Sequence, residues 1–440
     1  MRDLMVLGAL LVFIPFSLSN VFGAYLLWGW TGLIALNSYL YGFMVPVPFV
    51  QLFALLTLAT LLWHKDIEKR KFEPNRTTTL FAIFVVHGFF CAIFAYPNLL
   101  SNWMIYGNLS KTVLFCVLMP ILATSRFRIH SIVVMISLAV GFHGVLDGLK
   151  FLASGGAHKA AGIGKFGDNN HYAIVLAMVI PLLYYLYQYS SGRLARWGFA
   201  AAILLNVLAI VATGSRGGLV GLTAISLWII VKSRRRWLGI FAISVCALLI
   251  VQLAPDTWSQ RMQTIKTADE DTSFMSRVTA WKVSSAIALA NPVLGGGFRV
   301  VQSHSVWDQF KSSPGLLGFV ETPVLSRSGV AAHSIWFEVM GDMGFVGLFI
   351  FIAMIINAFM TGREIRALAE RGGTSWRWAS DLSDLLAAIM FVYAVSGSLL
   401  SVAYFELPYV VMMLLEVIKL QLRTALNLSP VKKSLRLNHV

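Results

Sequence analysis

Arg216, Arg277 and His333 lie at or near the ends of long apolar segments and could carry ionic or acid–base chemistry. Arg216 belongs to Thr-Gly-Ser-Arg-Gly-Gly (213–218), a tight turn between two apolar segments. An arginine at this depth either snorkels to an interface or meets a counter-charge. Because its planar guanidinium donates paired hydrogen bonds to phosphate, the second alternative is an anion site.

His333 opens the segment His-Ser-Ile-Trp-Phe-Glu. An imidazole titrates near neutral pH, which suits a general base, although a histidine at a helix start can also serve only as a cap. Arg277 is either an exposed helical residue or a second cation on the same face. Glu338 and Asp342 lie within the apolar segment and need a partner there, with the arginines as the expected partners. A direct contact between Glu338 and His333 is not expected, since a separation of five residues does not share a helix face.

The sequence contains no phosphate-binding loop, zinc-protease motif, cysteine pair or nucleophile-elbow motif. The acid cluster at 269–271 is a weak metal candidate because acids also favour a helix start. We therefore expect no metal and no cofactor. The glycines at 295–297 have no preceding strand and no following Lys-Ser, so they predict a flexible or close-packed turn.

The elements that carry these residues must lie in a membrane. Of the 440 residues, 58% are hydrophobic and 12% are charged, and the mean hydropathy is +0.74. Soluble domains carry about 25% charged residues. The net charge of +15 raises the question of nucleic acid, but most of the 35 Lys and Arg residues lie in alternate connectors. The positive-inside rule places those connectors in the cytoplasm and explains the charge without nucleic acid.

The resulting organisation is an all-α polytopic membrane protein with a large outer loop that contains short helices. We expect transmembrane helices 1–10 in 1–253, the loop in 254–333, the last transmembrane helices in 334–420 and a basic cytoplasmic tail in 421–440. About 12 spans with both ends inside are favoured, whereas thirteen would put the N-terminus outside. Acids before Phe274 and Asn-Pro after Ala290 predict a helix in the loop, lying on the protein surface or on the membrane interface.

Together these motifs resemble the O-antigen ligase and polymerase superfamily. They are Thr-Gly-Ser-Arg-Gly-Gly at 213–218, Ser-Arg-x-x-x-Trp and Asn-Pro-x-x-Gly-x-Gly-Phe within 276–298, and His-Ser-x-x-x-Glu-x-x-Gly-x-x-Gly-x-x-Gly-Leu at 333–348. The segment 166–173 is similar to the family's Asn-containing start of a span. The first third of the chain resembles exosortase-associated O-glycosylation ligases.

The resemblance implies a metal-independent, inverting glycosyltransferase with about 12 spans and a GT-C-like fold in the bacterial inner membrane. Its periplasmic site would move a polysaccharide from undecaprenyl diphosphate to lipid A core oligosaccharide, with membrane lipids as further partners. His333 matches the family's proposed base, and Arg216 and Arg277 match its diphosphate-binding arginines. Further donor or acceptor contacts are expected from a set of four polar residues: Asn170, Arg299, Arg327 and Glu338.

Three alternatives remain open. A protein O-oligosaccharyltransferase or an O-antigen polymerase would use the same donor with another acceptor. A transporter of lipid-linked glycans would place charges at mid-depth in both halves and show repeat symmetry. The candidate residues instead lie at the outer ends of segments, which favours chemistry at one face.

Overall fold

A computed structural model describes residues 1–63, 72–96, 99, 101–232, 237, 240, 244, 272–322 and 328–427. Within these residues the protein is all-helical and contains no strand, which confirms the predicted all-α class. In chain order the α-helices are α1 Arg2–Ser19, α2 Val21–Ile34, α3 Phe49–Trp63, α4 Arg76–Ile93, α5 Asn102–Leu122, α6 Arg126–Ala153, α7 Asn169–Tyr189, α8 Arg193–Ala212, α9 Arg216–Lys232, α10 Thr272–Ala290, α11 His304–Phe310, α12 Ile335–Gly372, α13 Arg377–Gly397 and α14 Glu406–Ala425. Short 3-10 turns are present at Leu36–Tyr39, Gly164–Phe166, Val300–Gln302, Gly315–Leu317 and Thr374–Trp376.

Many of these helices are long and apolar enough to cross a hydrocarbon core of about 30 Å. Among the described residues, eight helical segments meet that criterion: α1, α4 to α8, α12 and Thr374–Gly397. Helices α2 and α3 are shorter but also apolar. The helical, multi-pass character therefore agrees with the composition, and the figure of about 12 spans stays a prediction.

The two ends of the helix bundle can be told apart by contacts between distant segments. At one end Asp3 Oδ2 accepts a hydrogen bond from Met44 N at 3.0 Å, and Ser38 packs against Gly164, close to the start of α7. At the other end Glu364 pairs with both Arg76 and Lys419. The chain thus begins at the end where α7 starts, and α14 finishes at the opposite end. Within the described residues, the start of α1 and the end of α14 lie at opposite ends of the bundle, which differs from the expectation of both ends on one side and fits the thirteen-segment alternative.

The interior of the bundle is built mainly on α7 and α14. Their apolar side chains form one continuous core with α5, α6 and α13, including Tyr172, Met178, Tyr409 and Met413. Burying such side chains is the main packing contribution, at roughly 1.5–3 kcal/mol each in soluble proteins and less where lipid is the alternative. The core also contains a buried ion pair, Lys419 Nζ to Glu416 Oε1 at 2.8 Å, near the end opposite α7's start.

The large loop forms a second, smaller core on top of the bundle. Ala280, Val283 and Ile287 on α10 pack with Val301 and Trp307. The predicted helix up to Ala290 is confirmed, and it begins at Thr272. Its buried face lies against protein, chiefly α12, so it agrees with the surface-helix alternative. The acid cluster at 269–271 lies outside the described residues.

Candidate active site

The first turn of α7 and the turn before α9 are joined by hydrogen bonds. Asp168 caps α7, where its carboxylate accepts from Asn170 N at 3.0 Å and His171 N at 2.8 Å. Ser215 Oγ donates to Asn170 Oδ1 at 2.8 Å. Arg216 follows Ser215 and begins α9. Asn170 and Arg216, two predicted site residues that are 46 positions apart in the sequence, therefore lie near each other.

Helix α9 approaches α7 closely because of a glycine. A Cβ on Gly218 would lie 2.6 Å from Ala173 Cβ and 3.1 Å from Ile210 Cγ2. Such distances are far inside normal carbon contacts of about 3.5–4.0 Å. Gly218, the second glycine after Arg216 in the sequence motif, therefore sets how near the arginine lies to the start of α7.

His333 lies just before α12 in a conformation unusual for a residue with a side chain. Its φ is +45°, in the left-handed region. Its backbone N–H donates to Ser401 Oγ at 2.8 Å. Its Nδ1 is buried and has no hydrogen-bond partner within the part of the chain that the structure describes. The backbone of His333 is thus held by Ser401, while its Nδ1 makes no hydrogen bond among the described residues.

Two charged residues act on the His333 imidazole from other elements. Burial and then the positive charge of Arg277 lower the pKa of His333, while Asp168 opposes them. The first two favour the neutral imidazole, which is the form that accepts a proton. The same interactions place Arg277 of α10 and the start of α7 within electrostatic range of His333.

Helix α10 is fastened to the His333 segment by Trp281. The Trp281 Nε1–H donates to Ala332 O at 2.6 Å, and its ring stacks on Phe337 with centroids 5.1 Å apart. Arg277 lies four residues earlier on the same helix face, where its Nη1 donates to Leu399 O at 3.4 Å. The spacing in Ser-Arg-x-x-x-Trp therefore positions the arginine beside the histidine.

These parts meet at the turn between α13 and α14, which we call the 398–405 turn. Leu399 O accepts from Arg277, Leu400 Cδ1 lies 3.8 Å from a Cβ built on Gly217, and Ser401 accepts from His333. Three successive residues therefore contact the segments that carry the three predicted catalytic groups. Sequence analysis did not assign this turn to the site.

The intramembrane carboxylates support the same turn. Glu338 Oε2 accepts from Ala403 N at 3.0 Å, and Asp342 Oδ2 accepts from Tyr404 OH at 3.0 Å. Both carboxylates are buried, and Arg299 lies close enough to act on both electrostatically. Their partners therefore include an arginine, as expected, but mainly the backbone and phenol of the 398–405 turn.

The glycine run after α10 packs against a break in α12. Gly344 has φ +68° inside that helix, and Phe345 N donates to Pro292 O at 2.8 Å. Gly296 N and Gly297 N donate to carbonyls of α12, both at 2.9 Å. The predicted close-packed turn is confirmed, and the contact also fixes the exposed Arg299 that follows it.

Two family models match parts of the chain. Residues 201–352 match the family model described as O-antigen ligase. This match covers about a third of the chain and supports its membership of the O-antigen ligase and polymerase superfamily. The matched region contains Arg216, Arg277 and His333. Members of the matched family are glycosyltransferase-like ligases and polymerases. Residues 1–191, with Asn170, match a family of unknown function. No curated protein matches the chain.

The predicted site residues fall into three groups. Four of them, Asn170, Arg216, Arg277 and His333, belong to segments that converge near the 398–405 turn. Arg299 and Glu338 lie beside this group, next to Asp342. Arg327 lies outside the described residues.

The structure adds Asp168 and Ser401, which sequence analysis missed. The signal for Asp168 was its N-cap position before Asn-Asn-His, and the signal for Ser401 was a polar Ser-Gly-Ser-Leu-Leu-Ser break between apolar segments.

Three further polar residues in the first half of the chain have structural partners. His87 Nε2 lies 3.0 Å from Met343 O, and His143 Nδ1 lies 2.6 Å from Tyr39 OH. Asp147 contacts a lysine, a histidine and a tyrosine: Lys150, His158 and Tyr172. Within the described ranges, no group of three or more His, Cys, Asp or Glu side chains is arranged to hold a metal ion.

Proposed function

We propose that this protein is an O-antigen ligase that transfers a polysaccharide from undecaprenyl diphosphate to lipid A core oligosaccharide. The reaction would occur at the periplasmic face of the inner membrane. The observation that carries the proposal is the convergence of the segments bearing Arg216, Arg277 and His333 on the 398–405 turn. Family membership supplies the lipid-linked glycan as the substrate class.

In the proposed reaction the acceptor hydroxyl oxygen attacks C1 of the first donor sugar. His333 takes the hydroxyl proton as the new C1–O bond forms. The bond between C1 and the diphosphate oxygen breaks on the opposite face, so the configuration at C1 inverts and the lipid diphosphate leaves with the electron pair. A base contributes roughly 10²–10⁴-fold to the rate of such a step.

The leaving diphosphate gains negative charge, which Arg216 and Arg277 would stabilise. Guanidinium groups suit this task because they stay charged and bind phosphate oxygens in pairs. Loss of one preorganised donor of this kind costs about 10²–10³-fold in rate. We assign further donor or acceptor contacts to Asn170, Arg299 and Arg327, while Glu338 contributes through the turn that it holds.

The test is reconstitution of the purified protein with labelled undecaprenyl-diphosphate glycan and lipid A core. We expect ligation that persists in EDTA, falls at least 100-fold in His333→Ala and falls similarly in Arg216→Lys. His304→Ala is the matched control, because His304 lies in the same large loop and bonds Ser328 instead of the site. Full activity of His333→Ala would refute the base assignment.

The acceptor is tested in the same assay. Glycan transferred to a protein or to another repeat unit, and not to lipid A core, would replace the ligase assignment with an oligosaccharyltransferase or a polymerase. Lipid-linked glycan that crosses the bilayer unchanged would support a transporter. The candidate groups converge at one end of the bundle, which speaks against transport.

A further inference from the structure

His333 occupies a backbone conformation that must be imposed on it. Left-handed φ values are rare for residues with a Cβ and persist where neighbouring structure determines them. Two contacts flank the residue: Ser401 Oγ accepts the His333 N–H, and Trp281 Nε1–H donates to the carbonyl of Ala332. These contacts fix the peptide just before the imidazole and hence the direction of its Cα–Cβ bond.

Ser401 itself belongs to a firmly supported stretch of chain. Tyr393 OH donates to Val402 O and Ala403 O at 3.1 and 3.2 Å, and Tyr409 OH donates to Ala403 O at 2.8 Å. The amide of Ala403 donates to Glu338. The residues that follow Ser401 are therefore held by three buried side chains, which makes the hydroxyl a fixed reference point.

We propose that Ser401 is a positioning residue for His333: its hydroxyl holds the histidine in the left-handed conformation that presents the imidazole to the acceptor. This rests on the proposed function. Positioning matters because a displacement of about 1 Å from the productive geometry can cost roughly 100-fold in rate. Ser401 does not exchange a proton with substrate in this proposal.

The first experiment compares variants in the ligation assay. Ser401→Ala removes the acceptor of the His333 N–H, so kcat should fall roughly 10- to 100-fold with little change in KM. Ser401→Thr keeps the hydroxyl and should restore most of the rate. Ser398→Ala is the matched control, because Ser398 lies in the same turn and accepts from Trp336 Nε1 at 2.8 Å. It should stay within a few-fold of the unmodified protein.

The second experiment separates positioning from general damage. His333→Gly is supplied with free imidazole as a replacement base, and the rescued rate is compared with that of His333→Gly/Ser401→Ala. A free imidazole is not held by the 333 backbone, so removal of Ser401 should leave the rescued rate unchanged. A purely structural role for Ser401 would lower it as much as in the unmodified background.

The outcomes distinguish failure of the positioning role from failure of the base assignment. Full activity of Ser401→Ala, or an equal loss in the imidazole-rescued background, would overturn the positioning role and leave the proposed function intact. Full activity of His333→Ala would overturn the base assignment and the positioning role together. Low kcat in Ser401→Ala, recovery in Ser401→Thr and an unchanged rescued rate would support the proposal.

Discussion

Replacement of Gly344 tests the joint between α12 and the large loop. An alanine there would carry its Cβ 2.5 Å from Pro292 O and 2.9 Å from Pro292 C, at a φ of +68°. With ψ at −171°, this backbone conformation is essentially restricted to glycine and costs a residue with a side chain about 1–3 kcal/mol. Relief of the clash adds about 1–3 kcal/mol. The displaced hydrogen bond from Phe345 N to Pro292 O adds about 0.5–1.5 kcal/mol.

The expected total is roughly 3–7 kcal/mol of lost unfolding free energy for Gly344→Ala. Reversible unfolding in mixed micelles, followed by tryptophan fluorescence, measures it. Gly107→Ala in α5 is the control, because no atom lies within 4 Å of a Cβ built there. Alanine at an ordinary helical position should be neutral or stabilising by up to about 1 kcal/mol.

A loss below about 1 kcal/mol in Gly344→Ala would refute this reasoning, since neither the backbone strain nor the clash could then be present. An equal loss in Gly107→Ala would show that helix glycines in this protein tolerate no methyl group, and the joint would not be special. The ligation rate of Gly344→Ala should also fall, because Gly296 and Gly297 bond the same stretch of α12.

Asp168→Asn should move the acid limb of the pH–rate profile to lower pH. The negative charge of Asp168 raises the pKa of His333, so its removal lowers the pH at which the base becomes protonated and activity is lost. Asparagine can still cap α7; an unchanged profile would contradict this. Trp281→Phe keeps the ring stacking but loses the indole N–H, so kcat should fall about 5-fold at unchanged KM, the effect of about 1 kcal/mol; a changed KM alone would contradict it. Lys419→Met should lower the free energy of unfolding by about 3–5 kcal/mol, because buried Glu416 loses its lysine partner. Glu416→Gln/Lys419→Met should recover much of that free energy; equal losses in the two variants would contradict the pairing.

Local features of the fold could be predicted from the sequence because they depend on short-range chemistry. Apolar segments and basic connectors predicted the all-helical class, and the Asn-Pro pair predicted the end of α10. The direction of α1 could not be obtained in this way. It depends on the contact of Asp3 with Met44, a long-range hydrogen bond that charge counting does not detect.

The site was predictable in part for a similar reason. Arg216, Arg277 and His333 have distinctive motif neighbours, so their residue types and spacing were informative. The role of Ser401 was hidden, because a serine near a chain break has many explanations and its importance comes from a contact with a residue 68 positions earlier. The placement of Glu338 likewise depends on Ala403, which contributes only its backbone amide.

The late position of the 398–405 turn in the chain has a consequence for biosynthesis. Ribosomes make the chain from its N-terminus, so Arg216, Arg277 and His333 enter the membrane before the residues that contact their segments. A nascent or truncated chain that stops before Ser401 contains all three groups without the support that brings them together. Assembly of the proposed site therefore waits for the last two helices and the turn between them.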